Sequence, residues 1–253
     1  MMDRAKVIEP RGRDPVMDLV LLPGFMTDPD LWADLEDRLA RIGPVHHGDL
    51  SRDTTIDEMA SRVAAEAPER FALIGFSMGG YVARSIARLV PERVQALVLI
   101  ATSARADTRA QAARKAIAVA HVREQGFGGL SRGAILQSVH PERAGDAALL
   151  ARIRQMGDRL GGPVFLRQAG QARASDLDRL GAIGCPTLVV AAAQDALRGL
   201  DEAQELQAGI PGATLTVIDG SGHMLPLEAP DALADAIVPW LQAQASGAST
   251  IGS

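Results

Sequence analysis

The sequence predicts an α/β fold, a doubly wound and mostly parallel sheet interrupted by a helical insertion, and three observations carry that prediction. Short apolar runs such as Leu19-Val20-Leu21-Leu22 and Phe71-Ala72-Leu73-Ile74 alternate with stretches whose apolar residues recur at helical spacing. One run leads through Gly75-Phe76-Ser77-Met78-Gly79-Gly80 into the helical pattern Tyr81-Val82-Ala83-Arg84-Ser85-Ile86-Ala87, a strand, a sharp turn and a helix in immediate succession. From Ser103 to Leu180 the alternation stops and helical patterns alone remain.

Taken in order, residues 1–15 mix charges with Pro10 and Pro15 and read as a mobile lead-in. The core is expected over residues 16–103 and 181–243. Its first strand is Leu19–Leu22. Asp28-Pro29 starts a helix, by side-chain cap and pre-set proline, on which Leu31, Leu35 and Leu39 share a face with Trp32 as a core residue. A weak strand at Val45-His46 precedes a helix marked by Ile56, Met59 and Val63. After the strand and helix around Ser77, on which Tyr81 is expected to be structural, comes the strand Val94–Ile100. Residues 104–180 form the insertion, with helices from Ala110 to Arg123 and from Ala147 to Leu160 broken at Gly126-Phe127-Gly128-Gly129 and Gly161-Gly162-Pro163. Strands at Thr187–Ala193 and Ala213–Ile218 complete the sheet, and residues 244–253 read as a flexible tail.

In such a sheet the ligand site falls at the carboxyl ends of the strands. Ser77 sits there, at a turn so tight that only glycine suits the positions two residues before and after it, which are Gly75 and Gly79. The helix behind it aims free N–H groups at any oxyanion formed at that hydroxyl. Asp195 follows the run Thr187–Ala193, and His223 follows Ala213–Ile218 through Asp219-Gly220-Ser221-Gly222. Serine is a weak nucleophile without a base; histidine supplies one, and a buried carboxylate fixes its tautomer. Ser77, Asp195 and His223 are therefore the candidate catalytic residues, with Asp107, Asp201 and Asp219 as weaker candidates for the acid.

These segments, together with Leu21-Leu22-Pro23-Gly24-Phe25, Pro91-Glu92-Arg93-Val94, Cys185-Pro186-Thr187 and Gly222-His223 followed by Leu227-Glu228-Ala229-Pro230, resemble the α/β-hydrolase family from about Met17 to Leu241. The resemblance implies a sheet of the α/β-hydrolase type, a helical cap, and an oxyanion hole made by the backbone N–H groups of Phe25 and Met78. It implies hydrolysis of a small-molecule carboxylic ester, with no cofactor and no metal. A lactonase, a thioesterase, a perhydrolase or cofactor-free haloperoxidase would use the same atoms, and some relatives act as ligand receptors or signalling proteins. Two departures stand out: Pro23-Gly24 replaces the His-Gly of many relatives, and Ala196-Leu197-Arg198-Gly199 lacks a proline that many carry four residues after the acid.

Length and composition fit one domain: 253 residues with 47% hydrophobic content can bury a full α/β core. A net charge of −5 and 3% aromatic residues argue against nucleic acid as a partner. The N-terminus lacks the apolar stretch of a signal peptide and no run approaches a membrane span, so a cytoplasmic location is expected. The single Cys185 reads as core packing. His46-His47 does not read as a metal site, because adjacent side chains on a strand face opposite ways. From Arg105 to Leu180 there are 13 Arg and Lys against 7 Asp and Glu, a balance of +6. That balance reads first as a solvated helical surface, and, if Arg105, Arg109, Arg152 and Arg154 face the entrance, as a lure for an acidic partner or an ester bearing a carboxylate or phosphate.

Overall fold

The computed structural model of the chain describes residues 17–248. The lead-in expected over residues 1–15, and residues 249–253 of the expected tail, lie outside them. Six strands, β1 (Asp18–Leu22), β2 (Val45–His47), β3 (Phe71–Phe76), β4 (Val94–Ile100), β5 (Thr187–Ala192) and β6 (Thr214–Ile218), form one sheet in the order β2-β1-β3-β4-β5-β6. Every pairing among them is parallel. The described helices are α1 (Ala33–Leu39), α2 (Ile56–Glu66), α3 (Met78–Leu89), α4 (Arg109–Gln125), α5 (Arg132–Ser138), α6 (Ala147–Ala169), α7 (Leu200–Gly209), α8 (Leu225–Glu228) and α9 (Pro230–Ala248). None is long and apolar enough to cross a membrane.

Each central strand is apolar on both faces because helices cover both sides of the sheet. Leu19, Leu21, Ile74, Phe76, Val98, Ile100 and Val190 face one layer, built on α1 and α9. Val20, Leu22, Leu73, Leu97, Leu99 and Val189 face the other, built on α2, α3 and α7. The chain winds outward from β1 to β2, then returns to β3 on the other side of β1 and continues to β6. The winding direction thus reverses between β1 and β3, and the loops leaving their carboxyl ends diverge and open a crevice.

The inserted helices α4, α5 and α6 lie between β4 and β5. Gly161, at φ 74° and ψ −178°, breaks α6 two residues before Pro163, as the Gly-Gly-Pro sequence predicts. The expected tail is corrected: α9 continues to Ala248, because Leu233, Ile237, Leu241 and Ala245 recur at helical spacing and Ala245 is buried with them in the core.

A buried ion pair ties the insertion's end to α3. The Arg84 side chain on α3 is fully buried; its Nε donates to Asp176 Oδ2 at 3.1 Å and its Nη2 to Asp176 Oδ1 at 2.9 Å and to the Ser103 carbonyl at 2.8 Å. Arg88 joins the same carboxylate at 3.0 Å. Leaving a buried guanidinium without its carboxylate is expensive, whereas exposed pairs contribute little. Asp176→Asn is expected to lower unfolding free energy by about 3–5 kcal/mol in urea titrations. Asp235→Asn, which breaks the surface pair with Arg38, should cost at most about 1 kcal/mol.

Candidate active site

At the end of β3 the backbone turns so sharply that Ser77 adopts φ 50° and ψ −110°, a conformation that side-chain-bearing residues rarely hold. Three contacts hold it there. The Ser77 amide donates to the Ile100 carbonyl at 2.9 Å, and the Ser77 carbonyl accepts from Thr102 Oγ1 at 2.7 Å and from the Gly80 amide at 3.0 Å. The flanking glycines are obligatory: a Cβ on Gly75 would lie 2.6 Å from the Gly79 carbonyl oxygen, and one on Gly79 would strike the Leu22 and Pro23 carbonyls of the neighbouring loop.

Asp195 and His223 reach the same edge from β5 and β6. His223 Nε2 lies 2.9 Å from Ser77 Oγ, and His223 Nδ1 lies 2.7 Å from Asp195 Oδ2. The Asp195 side chain is 1% exposed and that of His223 is 7% exposed, so the hydrogen-bonded chain lies in a low-dielectric setting. The other Asp195 oxygen accepts the amides of Leu197 at 2.7 Å and Arg198 at 2.9 Å. The Ala196–Gly199 segment thus orients the Asp195 carboxylate through two backbone donors. The weaker acid candidates are engaged elsewhere, Asp107 with Lys115, Asp201 with Arg105 and Asp219 with Gln194.

The loop after β1 runs beside this chain. A Cβ on Gly24 would lie 2.8 Å from the Phe76 ring and 3.4 Å from Ser77 Cβ, so glycine allows the close approach. Among the described residues the amides of Phe25 and Met78 have no hydrogen-bond acceptor. Met26 holds φ 52°, and its amide donates to Gln168 Oε1 at 2.8 Å, while Gln168 Nε2 donates to the Leu50 carbonyl at 3.0 Å. The side chains of the two residues differ in setting. Met78 is buried in the core, and Phe25 packs edge-on against Phe165 of α6 at 5.6 Å between ring centroids.

The inserted helices grip the loop before His223 as well. A Cβ on Gly222 would meet the backbone of Val139 and His140, and the Met224 amide donates to the Ser138 carbonyl at 3.0 Å. Buried Glu228 accepts the amides of His140 at 2.6 Å and Gly222 at 3.0 Å. Burial pushes its carboxyl above the usual glutamate range, opposed by those two amides. Gln168, Thr102 and the bracing role of Glu228 escape sequence reasoning. Glu228 alone left a signal, as a carboxylate in the apolar stretch Leu225–Pro230.

Most of the arginines expected to draw anions have partners. Arg152 pairs with Asp30 and Asp34, Arg105 with Asp201 and Glu205, and Arg154 with Asp158. Arg159 adds pairs to Asp28 and Asp30. Arg105, Arg152 and Arg159 thus fasten the insertion to carboxylates of the core, and of the four named arginines only Arg109 is exposed without an ion pair among the described residues. His46 and His47 contact different carboxylates, Asp18 and Glu36. Cys185 packs against the core beneath β5.

Known proteins resemble this chain in sequence and in fold. A pimeloyl-(acyl-carrier protein) methyl ester esterase of Aliivibrio salmonicida (strain LFI1238) is 35% identical over 96 residues, which is 35% of this chain and 37% of that protein. The chain therefore aligns with little more than a third of that relative's length. Among solved structures, a thermophilic esterase from Thermogutta terrifontis superposes with a TM-score of 0.79 at 27% identity, covering 90% of each chain. The enol-lactonase from Burkholderia xenovorans LB400 superposes at 0.81 with 20% identity over 89% of this chain and 91% of its own, a likeness of fold. The model of the alpha/beta hydrolase family matches residues 19–236, and this chain belongs to that family.

Proposed function

We propose that the protein is a serine hydrolase that cleaves a small-molecule carboxylic ester through an acyl-enzyme intermediate. The observation that carries this reading is the continuous hydrogen-bonded chain from Asp195 through His223 to Ser77, with 2.7 Å and 2.9 Å links, beside two unoccupied amides. Ser77 Oγ attacks the carbonyl carbon while His223 Nε2 takes its proton. Asp195 holds the Nδ1 proton in place and stabilises the imidazolium. The Phe25 and Met78 amides receive the oxyanion, worth about 3 kcal/mol per donor in transition-state binding. His223 then protonates the leaving alcohol, and water repeats the sequence in reverse to release the acid.

The inserted helices serve as the cap in this reading, covering the site and fixing both its loops. Ester hydrolysis is favoured over the other reactions open to this constellation because the Aliivibrio and Thermogutta relatives are named esterases. A panel of p-nitrophenyl esters of increasing acyl length tests activity and pocket size together.

Ser77→Ala is expected to lower kcat by roughly 10⁶-fold without loss of folding, the scale of losing a triad nucleophile. Asp195→Asn should cost about 10⁴-fold, because the amide favours the wrong histidine tautomer. Unchanged turnover in either variant contradicts the assignment.

Glu228 yields a pH prediction. Its folded-state pKa is raised above the usual 4.5, so within the window just above 4.5 the folded protein binds more protons than the unfolded chain. Its contribution to stability is full below that window and is lost as pH rises through it. The unfolding free energy of Glu228→Gln, measured at a series of pH values, should lack this component. The wild type should gain on the variant as pH falls toward 4.5, and parallel curves would contradict the buried-charge account.

A further inference from the structure

Beside the candidate site lies a concentration of buried positive charge that the proposed hydrolysis does not use. Tyr81, one turn beyond Ser77 on α3, is surrounded by the guanidinium groups of Arg84, Arg173 and Arg198 at 4.7, 5.2 and 6.0 Å from its ring centroid. Arg84 pairs with Asp176 through Nε and Nη2, while its Nη1 is buried with no hydrogen-bond partner among the described residues. Arg198 reaches Glu202 at 3.5 Å, but its Nε is buried with no hydrogen-bond partner among the described residues. Arg173 is the most exceptional of the three. Its side chain is only 10% exposed, and its guanidinium has no hydrogen bond among the described residues. Its ion-pair contact there is Asp107 Oδ1 at 3.9 Å. That carboxylate already accepts Lys115 Nζ at 2.5 Å and the Arg173 amide at 3.2 Å.

Arg173 lines a cavity of 420 Å³ between α4 and the end of α6, together with Lys115, Arg123, Asp107 and Gln171. Lys115 and Arg173 thus share one carboxylate, with exposed Arg123 also on the wall, in a recess large enough for a small ligand. Gln171 adds a second unmet group, since its Oε1 is buried without a partner among the described residues. Burial and then the neighbouring Arg198 push the Arg173 guanidinium below its ordinary pKa, and burial and then Arg173 do the same to Lys115. Cations held this close out of water call for a counter-charge, and a planar guanidinium fork suits a carboxylate or phosphate.

We propose that this cavity is an anion-binding site for a small ligand bearing a carboxylate or phosphate group, held by Arg173 with Lys115 and Arg123 around it. Gln171 Nε2 approaches Met78 Sδ at 3.9 Å, so one side chain separates the cavity from the residue that follows Ser77. The anion is therefore either the substrate's own charged group or a free anion bound beside the reacting centre.

The test is calorimetric titration of the full chain with inorganic phosphate and with succinate at fixed ionic strength, with melting temperature followed in parallel. At least one should bind saturably. Affinity should fall about 10- to 100-fold in Arg173→Gln, the worth of hydrogen bonds to a charged group, and should hold in a variant of the exposed α5 cation, Arg132→Gln. Without anion, Arg173→Gln should melt no lower than wild type, because it relieves like-charge crowding; a purely structural arginine would lower it. Lys115→Gln provides a second variant with the same expected weakening. Failure of both anions to bind the wild type, or unchanged affinity in both variants, overturns the proposal. Repeating the titration in Ser77→Ala keeps the result independent of the hydrolysis reading. If the anion belongs to the substrate, Arg173→Gln raises KM for monomethyl succinate and not for dimethyl succinate. If it is free, phosphate changes the rates for both esters alike.

Discussion

The backbone of Ser77 is held in a conformation that costs of order 1–3 kcal/mol and persists only because its surroundings over-determine it. The Ile100 carbonyl, the Thr102 hydroxyl and the Gly80 amide supply that restraint, and each comes from an element packed for other reasons. Because the turn is fixed, the hydroxyl stands above the sheet, α3 points its first amides at the same space, and His223 Nε2 can lie 2.9 Å away. A looser turn would keep the residues and lose the geometry. The glycines at 75 and 79 follow from this constraint, since a Cβ at either would strike backbone.

The second organising feature is the grip of the inserted helices on two loops that the sheet alone would leave free. Gln168 of α6 holds the Met26 amide next to Phe25, and the Ser138–His140 segment holds the loop that delivers His223. Around this polar contact set, Arg152 and Arg159 clamp the insertion to Asp28, Asp30 and Asp34. Such surface pairs contribute little singly, but shared carboxylates fix orientation. In the proposed hydrolysis, loops held in place beforehand let the Phe25 and Met78 amides meet a developing oxyanion without reorganisation.

Much of the architecture was legible because it is written locally. Strand runs apolar on both faces, glycines around Ser77, and the order of serine, acid and histidine after successive strands depend on neighbours in the chain, and the structure brings those three side chains into one hydrogen-bonded series. What was not legible depends on distant pairings. Gln168 lies 142 residues from Met26, Asp176 lies 92 residues from Arg84, and no pattern in the intervening sequence announces either contact. The +6 balance of the insertion was readable as a number, but which of its arginines clamp to the core depends on carboxylates far away in the chain. The helical run through Ala245 was hidden because Ala, Ser and Gly dominate the sequence there, although small apolar residues at the right spacing suffice to bury one face.

The central claim is that the hydroxyl of Ser77 is an activated nucleophile, and covalent trapping addresses it most directly. The folded protein is treated with a fluorophosphonate, digested, and its peptides mapped by mass. The account predicts a single stoichiometric phosphonyl adduct on Ser77, absent when His223 is replaced by alanine. An adduct on another residue, or an unmodified Ser77 in protein that cleaves esters, would contradict it.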